Sequence, residues 1–282
     1  MAGGSQSRLT PTALRRPCRL RCCRELPPPL GPRRPAELPK SGASSRFCAV
    51  FGRILAFMCQ RYALPDQIAA EREFLPATAW WKFAAKFNVA AEQYVPAIRL
   101  HDKQSEGVML RWGLIPSWAL ERPTGEPEVC VNMSRIERSA IYKKPWLNSQ
   151  RCILPMAGFY IWQLTREKYR QPFFVRLTDR AVFGIAAIWD RWVGDDDDVI
   201  ESCSVICVPA NELMSEITGP EPGMPAILRR KDYQTWLQGN PVEAKGALQP
   251  YKARWMHAYA VSPRINSRDV DDPALIWSLS AG

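Results

Sequence analysis

The chain has 282 residues, 46% hydrophobic and 23% charged, which suits a globular protein with a sizeable core and excludes a low-complexity or fibrous one. The net charge of +10 suggests a nucleic-acid binder until it is divided along the chain. Residues 1–57 hold eleven Lys/Arg against two acids, whereas residues 58–282 hold 27 against 26, so any basic surface on the main part must come from local clustering.

Residues 1–46 are rich in Arg, Pro, Ser and Gly and lack a helix or strand period. The whole stretch 1–57 reads as a disordered extension, or one processed or never translated, with residues 58–282 as the domain. Residues 64–74 (LPDQIAAEREF) read as a helix with Pro65 near its first turn. A strand opens residues 107–118 and stops at Pro116. Residues 151–164 are two short apolar runs around a Pro and a Gly, and residues 171–192 read as a hairpin turning at Thr-Asp-Arg. Asp195 to Asp198 read as a solvated loop rather than a metal site. Residues 201–211 read as a buried strand, residues 231–241 as a short helix closed by Gly239 and Pro241, and residues 254–267 as a strand and polar turn. Many short strands and few helices imply a mixed α+β or barrel-like domain.

Nine cysteines divide into four before residue 58 and five after, with irregular spacing and no secretory signal. That pattern predicts reduced thiols and a cytoplasmic protein, nucleoid-associated if the source is bacterial. Two histidines and no Cys-x-x-Cys pair argue against zinc, and no apolar run is long enough for a membrane span. Neither a metal nor a cofactor is expected.

The stretch Met58-Cys59-Gln60-Arg61-Tyr62 (MCQRY) carries the chemistry. If Met58 is the working start, its removal leaves Cys59 with a free α-amine beside its thiol. The two groups have reference pKa values of about 7.7–8.0 and about 8.5, so both are partly in reactive form near neutrality. An aldehyde condenses with such a pair: the amine forms an imine and the thiolate closes on it as a five-membered thiazolidine, helped by the effective concentration of an intramolecular step. An internal cysteine cannot do this, because its nitrogen is a peptide nitrogen. The alternative is that Cys59 is a buried structural thiol.

The ordered stretches MCQRY, FNVAA (87–91), RWGLIPSWA (111–119), NMSRIE (132–137), RCILPMAGFYIW (151–162), GMPAIL (223–228) and AVSPRINS (260–267) resemble the SOS response-associated peptidase (SRAP) family of abasic-site processing proteins. The resemblance implies an α+β fold of mostly antiparallel strands in an open, barrel-like core with a few short helices. It implies a monomer in the DNA-damage response that binds single-stranded DNA, captures abasic sites through a covalent thiazolidine on Cys59, and exposes that cysteine by autoproteolysis. By position, Cys59 becomes the nucleophile, Asn132 orients the sugar aldehyde, and Arg61 and Arg135 hold phosphates. Asn88 shapes the site wall, and Trp112 and Trp118 stack on bases, with core packing as the alternative for both tryptophans. Arg135 could instead pair with Glu137.

The sequence departs from the family at the positions suited to acid/base chemistry. Ile161 stands in the slot of a glutamate and Thr218 in that of a histidine; Ala91 replaces a proline, and the Asn132–Arg135 spacing is one residue too long. Capture needs no base in principle, so crosslinking is expected to survive, slowed, with reversal and peptide cleavage the steps in doubt. His257, near the closing motif, reads as exposed and incidental rather than as a substitute for the histidine. Two other readings stay open: a degenerate paralogue that binds single-stranded DNA without chemistry, and an N-terminal-nucleophile amidohydrolase.

Overall fold

The computed structural model describes residues 60–76, 78–164, 170–195, 198–221 and 223–279. The expectations for residues 1–57 and for Cys59 lie outside them, as do Asp196 and Asp197 of the acidic loop.

In chain order the elements are β1 (Arg61–Leu64), α1 (Gln67–Phe74), β2 (Thr78–Ala79), β3 (Lys86–Ala90), β4 (Tyr94–His101), β5 (Gln104–Trp112), β6 (Cys130–Asn132), α2 (Lys143–Leu147), β7 (Arg151–Met156), β8 (Gly158–Leu164), β9 (Arg170–Leu177), β10 (Phe183–Val193), β11 (Val199–Val208), α3 (Glu212–Thr218), β12 (Met224–Pro225), β13 (Ile227–Leu228), α4 (Tyr233–Gln238), α5 (Pro241–Ala247) and β14 (Met256–Ala260). Strands β5, β4, β7, β10 and β11 form a ring. Four of its contacts are antiparallel, and a short parallel pairing of Ser202 and Cys203 with Arg111 and Trp112 closes it. The expected mostly antiparallel, barrel-like core with short helices is present, with its ring completed by that parallel contact. All six residues of β7 are buried, as expected of a strand covered on both faces. A second sheet has the order β14–β9–β8–β1–β3.

Local chemistry sets several boundaries. The Asp66 side chain accepts from the Ala69 N–H at 2.9 Å and caps α1, so the helix starts at Gln67 and leaves Pro65 outside it. The β4–β5 hairpin turns through Asp102 and Lys103, both at positive φ, the backbone that matches strand twist in a two-residue turn. Gly158 opens β8 where an added Cβ would run into the Phe174 ring and the Val175 carbonyl, so the position has room only for glycine.

Two sequence expectations need correction. The hairpin expected over residues 171–192 does not form: β9 pairs with β8 and β14, while β10 pairs with β7, β11 and β13. Alternation and a turn signal mark two strands joined by a short loop, but each finds its hydrogen-bond partners in a different sheet. Helix α4 does end at Gly239, but this glycine is extended (φ −63°, ψ 158°) rather than left-handed. Pro241 opens α5, where Asn240 and Glu243 form a capping box. The Gly239 and Trp236 carbonyls accept from the buried Arg151 guanidinium, which lies 5.7 Å from each of the Trp146 and Trp236 ring centroids. Burial lowers the Arg151 pKa to about 10.

Candidate active site

The start of β1 leads into a cleft of about 510 Å³, within the range of about 300–1,000 Å³ usual for ligand sites. One wall is Gln60 and Arg61, with Ala91 just past β3; the other is residues 126–132, Arg135, Ser139, Ile141 and Tyr142, and Arg268 closes one side. The second wall is fixed to the barrel because β6 runs parallel to β11, Cys130 opposite Val205 and Asn132 opposite Cys207. Gln60 follows Cys59 directly in the chain, so the cleft begins at the residue bonded to the proposed nucleophile.

Three cations line this space. Arg61 Nη1 donates to the Gln60 carbonyl at 3.2 Å, and its Nε is buried without a hydrogen-bond partner among the described residues. Burial and then the nearby Arg268 charge lower its pKa, so two like charges converge on one cavity. Arg135 is exposed, and Glu137, its alternative partner, pairs with Lys245 at 2.9 Å. Asn132 Oδ1 accepts from the Ser134 N–H at 2.9 Å and from the Ser134 hydroxyl at 2.8 Å. What Asn132 can offer a ligand is therefore its amide N–H groups.

Asn88 and Trp112 do not line the cleft; they support it. Asn88 is 2% exposed, and its Nδ2 donates to the carbonyls of Ser267 and Val270, each at 2.7 Å. Its backbone N–H and that of Phe87 donate to Asp271. Together these bonds clip the segment that carries Arg268 onto β3. Trp112 is fully buried, its Nε1 donates to the cleft-wall carbonyl of Val129 at 3.0 Å, and its ring meets Tyr62 edge-on at 5.1 Å. A base cannot stack on this ring without opening the core. Trp118 is 56% exposed and donates from Nε1 to the Ala140 carbonyl, between two cleft residues.

The two departures at the acid/base positions, Ile161 and Thr218, are apolar or self-satisfied. Ile161 is 2% exposed on β8, opposite Phe173. Tyr62 pairs with Phe159 and Ala63 with Gly158, and continuing that register sets Ile161 level with Gln60. Helix α3 packs against β8. Thr218, its last residue, turns its hydroxyl back to the Met214 carbonyl at 3.0 Å. His257 is exposed on β14, at the far edge of the five-stranded sheet from β3, and stacks near Tyr259.

Sequence reasoning missed Glu126, Glu128, Cys130, Tyr142 and Arg268, all on the cleft wall. Tyr142, 2% exposed, donates its hydroxyl to Glu128 Oε2 at 2.9 Å and lies 3.1 Å from Ser204 Oγ. Burial, and then the Glu128 charge, hold its pKa well above that of a free phenol. A hydrogen bond with Cys207, together with burial, pushes the Cys130 thiol well up, which makes it a poor nucleophile. Arg268 alone had a signal: it follows the closing Ile-Asn-Ser motif that Asn88 grips. No group of three or more His, Cys, Asp or Glu able to hold a metal occurs among the described residues, and no helix there is long and apolar enough to cross a membrane.

Two relatives match this chain in sequence, and two solved structures match it in fold. The abasic site processing protein YoqW of Bacillus subtilis is 31% identical over 216 residues, covering 76% of this chain and 91% of the relative. The abasic site processing protein HMCES of Mus musculus is 25% identical over 233 residues, covering 68% of this chain and 64% of the relative. A crystal structure of a Bacteroides thetaiotaomicron protein matches with a TM-score of 0.68 at 23% identity, covering 78% of this chain and 99% of that one. A Bordetella bronchiseptica protein matches with a TM-score of 0.63 at 23% identity, covering 72% of this chain and all of that one. These two share the fold. Residues 58–268 match the description SOS response associated peptidase (SRAP), a range that takes in the cleft residues and both sheets. The chain belongs to the SOS response associated peptidase family.

Proposed function

We propose that this protein processes abasic sites in DNA: it binds single-stranded DNA in the cleft at Gln60 and captures the ring-opened sugar as a thiazolidine on an N-terminal Cys59. One observation carries the reading. The cleft that opens at the residue after Cys59 is lined by Arg61, Arg135, Arg268 and Asn132. Guanidinium groups fork onto phosphate oxygens, and an amide N–H suits the sugar aldehyde oxygen. The names of YoqW and HMCES supply the substrate class. The reaction requires Cys59 to carry a free amine, so the residues before it must be removed, in the manner of the family by autoproteolysis.

The test is an intact mass of the protein from its native host, followed by incubation with single-stranded DNA holding an abasic site. The expected result is a mass that begins at Cys59 and a covalent product, lost in Cys59→Ser while DNA binding remains. A mass that retains residues 1–57, with no covalent product, sinks the capture reading. It would leave a single-stranded DNA-binding module, the second reading, which the buried apolar Ile161 in an acid/base slot favours.

A further inference from the structure

A cleft built for phosphates should avoid carboxylates, yet Glu126 and Glu128 both line it. Glu128 is fastened there. Its carbonyl accepts from the Leu114 N–H at 3.0 Å, and its Oε2 accepts the Tyr142 hydroxyl at 2.9 Å. Tyr142 is itself set by burial and by Ser204 of barrel strand β11. Glu126 has no such tether among the described residues. A carboxylate pinned by a buried phenol on the wall of an anion-binding cleft costs DNA affinity through repulsion, and a merely structural partner for Tyr142 would not need to face the cavity. On the side of β1 where the family pattern places a carboxylate, the chain instead buries Ile161.

We propose that Glu128 is the catalytic proton-transfer residue of this chain, with Tyr142 as its positioning residue. The inference rests on the thiazolidine reading above. The Cys59 amine adds to the sugar aldehyde carbon, leaving two protons on the nitrogen and an alkoxide on the carbon. The Glu128 carboxylate carries these protons to the oxygen in turn: the first gives the carbinolamine hydroxyl, and the second lets that hydroxyl leave as water as the imine forms. The thiol sulfur then bonds to the imine carbon and its proton passes to the nitrogen. Aldehyde plus aminothiol gives thiazolidine plus one water, with no change of oxidation state. By microscopic reversibility Glu128 serves the reverse reaction too.

The test uses the full-length protein, verified by mass to begin at Cys59 after processing, with saturating abasic single-stranded DNA. For Glu128→Gln, capture should slow about 100-fold. Reversal should slow by the same factor, the final crosslinked fraction should be unchanged, and DNA binding should be equal or tighter because a negative charge has gone. The pH–rate profile should lose one limb. Tyr142→Phe, which releases the Glu128 carboxylate from its donor, should slow capture at unchanged DNA affinity, and adding it to Glu128→Gln should slow capture no further than Glu128→Gln alone. Capture by Glu128→Gln at the parent rate with the parent pH profile overturns the proposal. So does a slowing explained wholly by weaker DNA binding. A parent that begins at Cys59 yet forms no covalent product overturns the underlying reading, and shows it before any variant is compared.

Discussion

Two stretches beside the start of β1 face different solvents. Residues 126–142 form an outward wall carrying Glu126, Glu128, Asn132 and Arg135, held by a buried tyrosine and the parallel β6–β11 pairing. Level with Gln60 on β8, Ile161 is 2% exposed within the main core cluster, and α3, which ends at Thr218, packs against that strand. The family pattern puts acid/base groups at the positions of Ile161 and Thr218; among the described residues of this cleft the carboxylates, Glu126 and Glu128, lie on the opposite wall. A charge on the wall keeps most of its hydration, whereas one at position 161 would be stripped of it. The difference teaches that losing an acid/base group at a buried position is hard to undo, because the surrounding apolar packing then opposes its return.

The largest expected effect breaks this contrast directly. Ile161→Glu places a carboxyl among core side chains with no cation assigned to it and should destabilise the fold by about 3 kcal/mol or more near neutral pH. The sign follows from burial. Burial raises the folded-state pKa of the new group above about 4.3, so its penalty is absent below that pH and grows as pH rises through the folded value. Denaturant melts at pH 4 and pH 8 measure it; equal losses at both would show that the slot admits water and is not the apolar site described here.

A smaller effect is expected on the polar side. Asn88→Ala removes two donors from a buried amide and leaves the Ser267 and Val270 carbonyls unanswered, which should cost about 2 kcal/mol. Because the freed segment carries Arg268, affinity for single-stranded DNA should fall as far as it does in Arg268→Gln, although Asn88 does not face the cleft. A stability loss with unchanged affinity would reduce Asn88 to a packing residue.

How far the sequence reached differs between these regions. Period and turn residues revealed β7, β8, β10, β11 and α1, because each is a local pattern of apolar spacing and caps. They could not reveal that β9 and β10 part into different sheets, since partner choice is set by which edges are free after the other strands pair. They could not separate Trp112 from Trp118 either. Both sit in one motif, but one ring is walled in by Tyr62 and Val129 while the other stands 56% exposed. Glu128 and Tyr142 were invisible because fourteen residues separate them and only the fold brings their oxygens to 2.9 Å. Arg61, Asn132 and Arg135, each named from a motif, line the cleft, whereas Asn88 and Trp112, named from motifs in the same way, lie buried behind it, because a motif does not say which way its side chain turns.

The next effect concerns the cations. Arg61→Gln and Arg135→Gln should each weaken single-stranded DNA binding roughly tenfold, about 1.4 kcal/mol, and each should lower the slope of log affinity against log salt by about 0.7. The smallest effect belongs to His257, and it sharpens the contrast by its absence. β14 lies three strand spacings from β1, about 14 Å, and His257 is exposed at that edge. A proton cannot pass from there to a sugar held at Gln60 without a relay, and the strands between, β8 and β9, present Ile161 and Phe173 at that level. His257→Gln should therefore capture abasic DNA at the parent rate with the parent pH profile between pH 5 and 8. If it slowed capture or altered that profile, the acid/base chemistry would lie on the five-stranded sheet after all, and the contrast between the two walls would be the wrong way round.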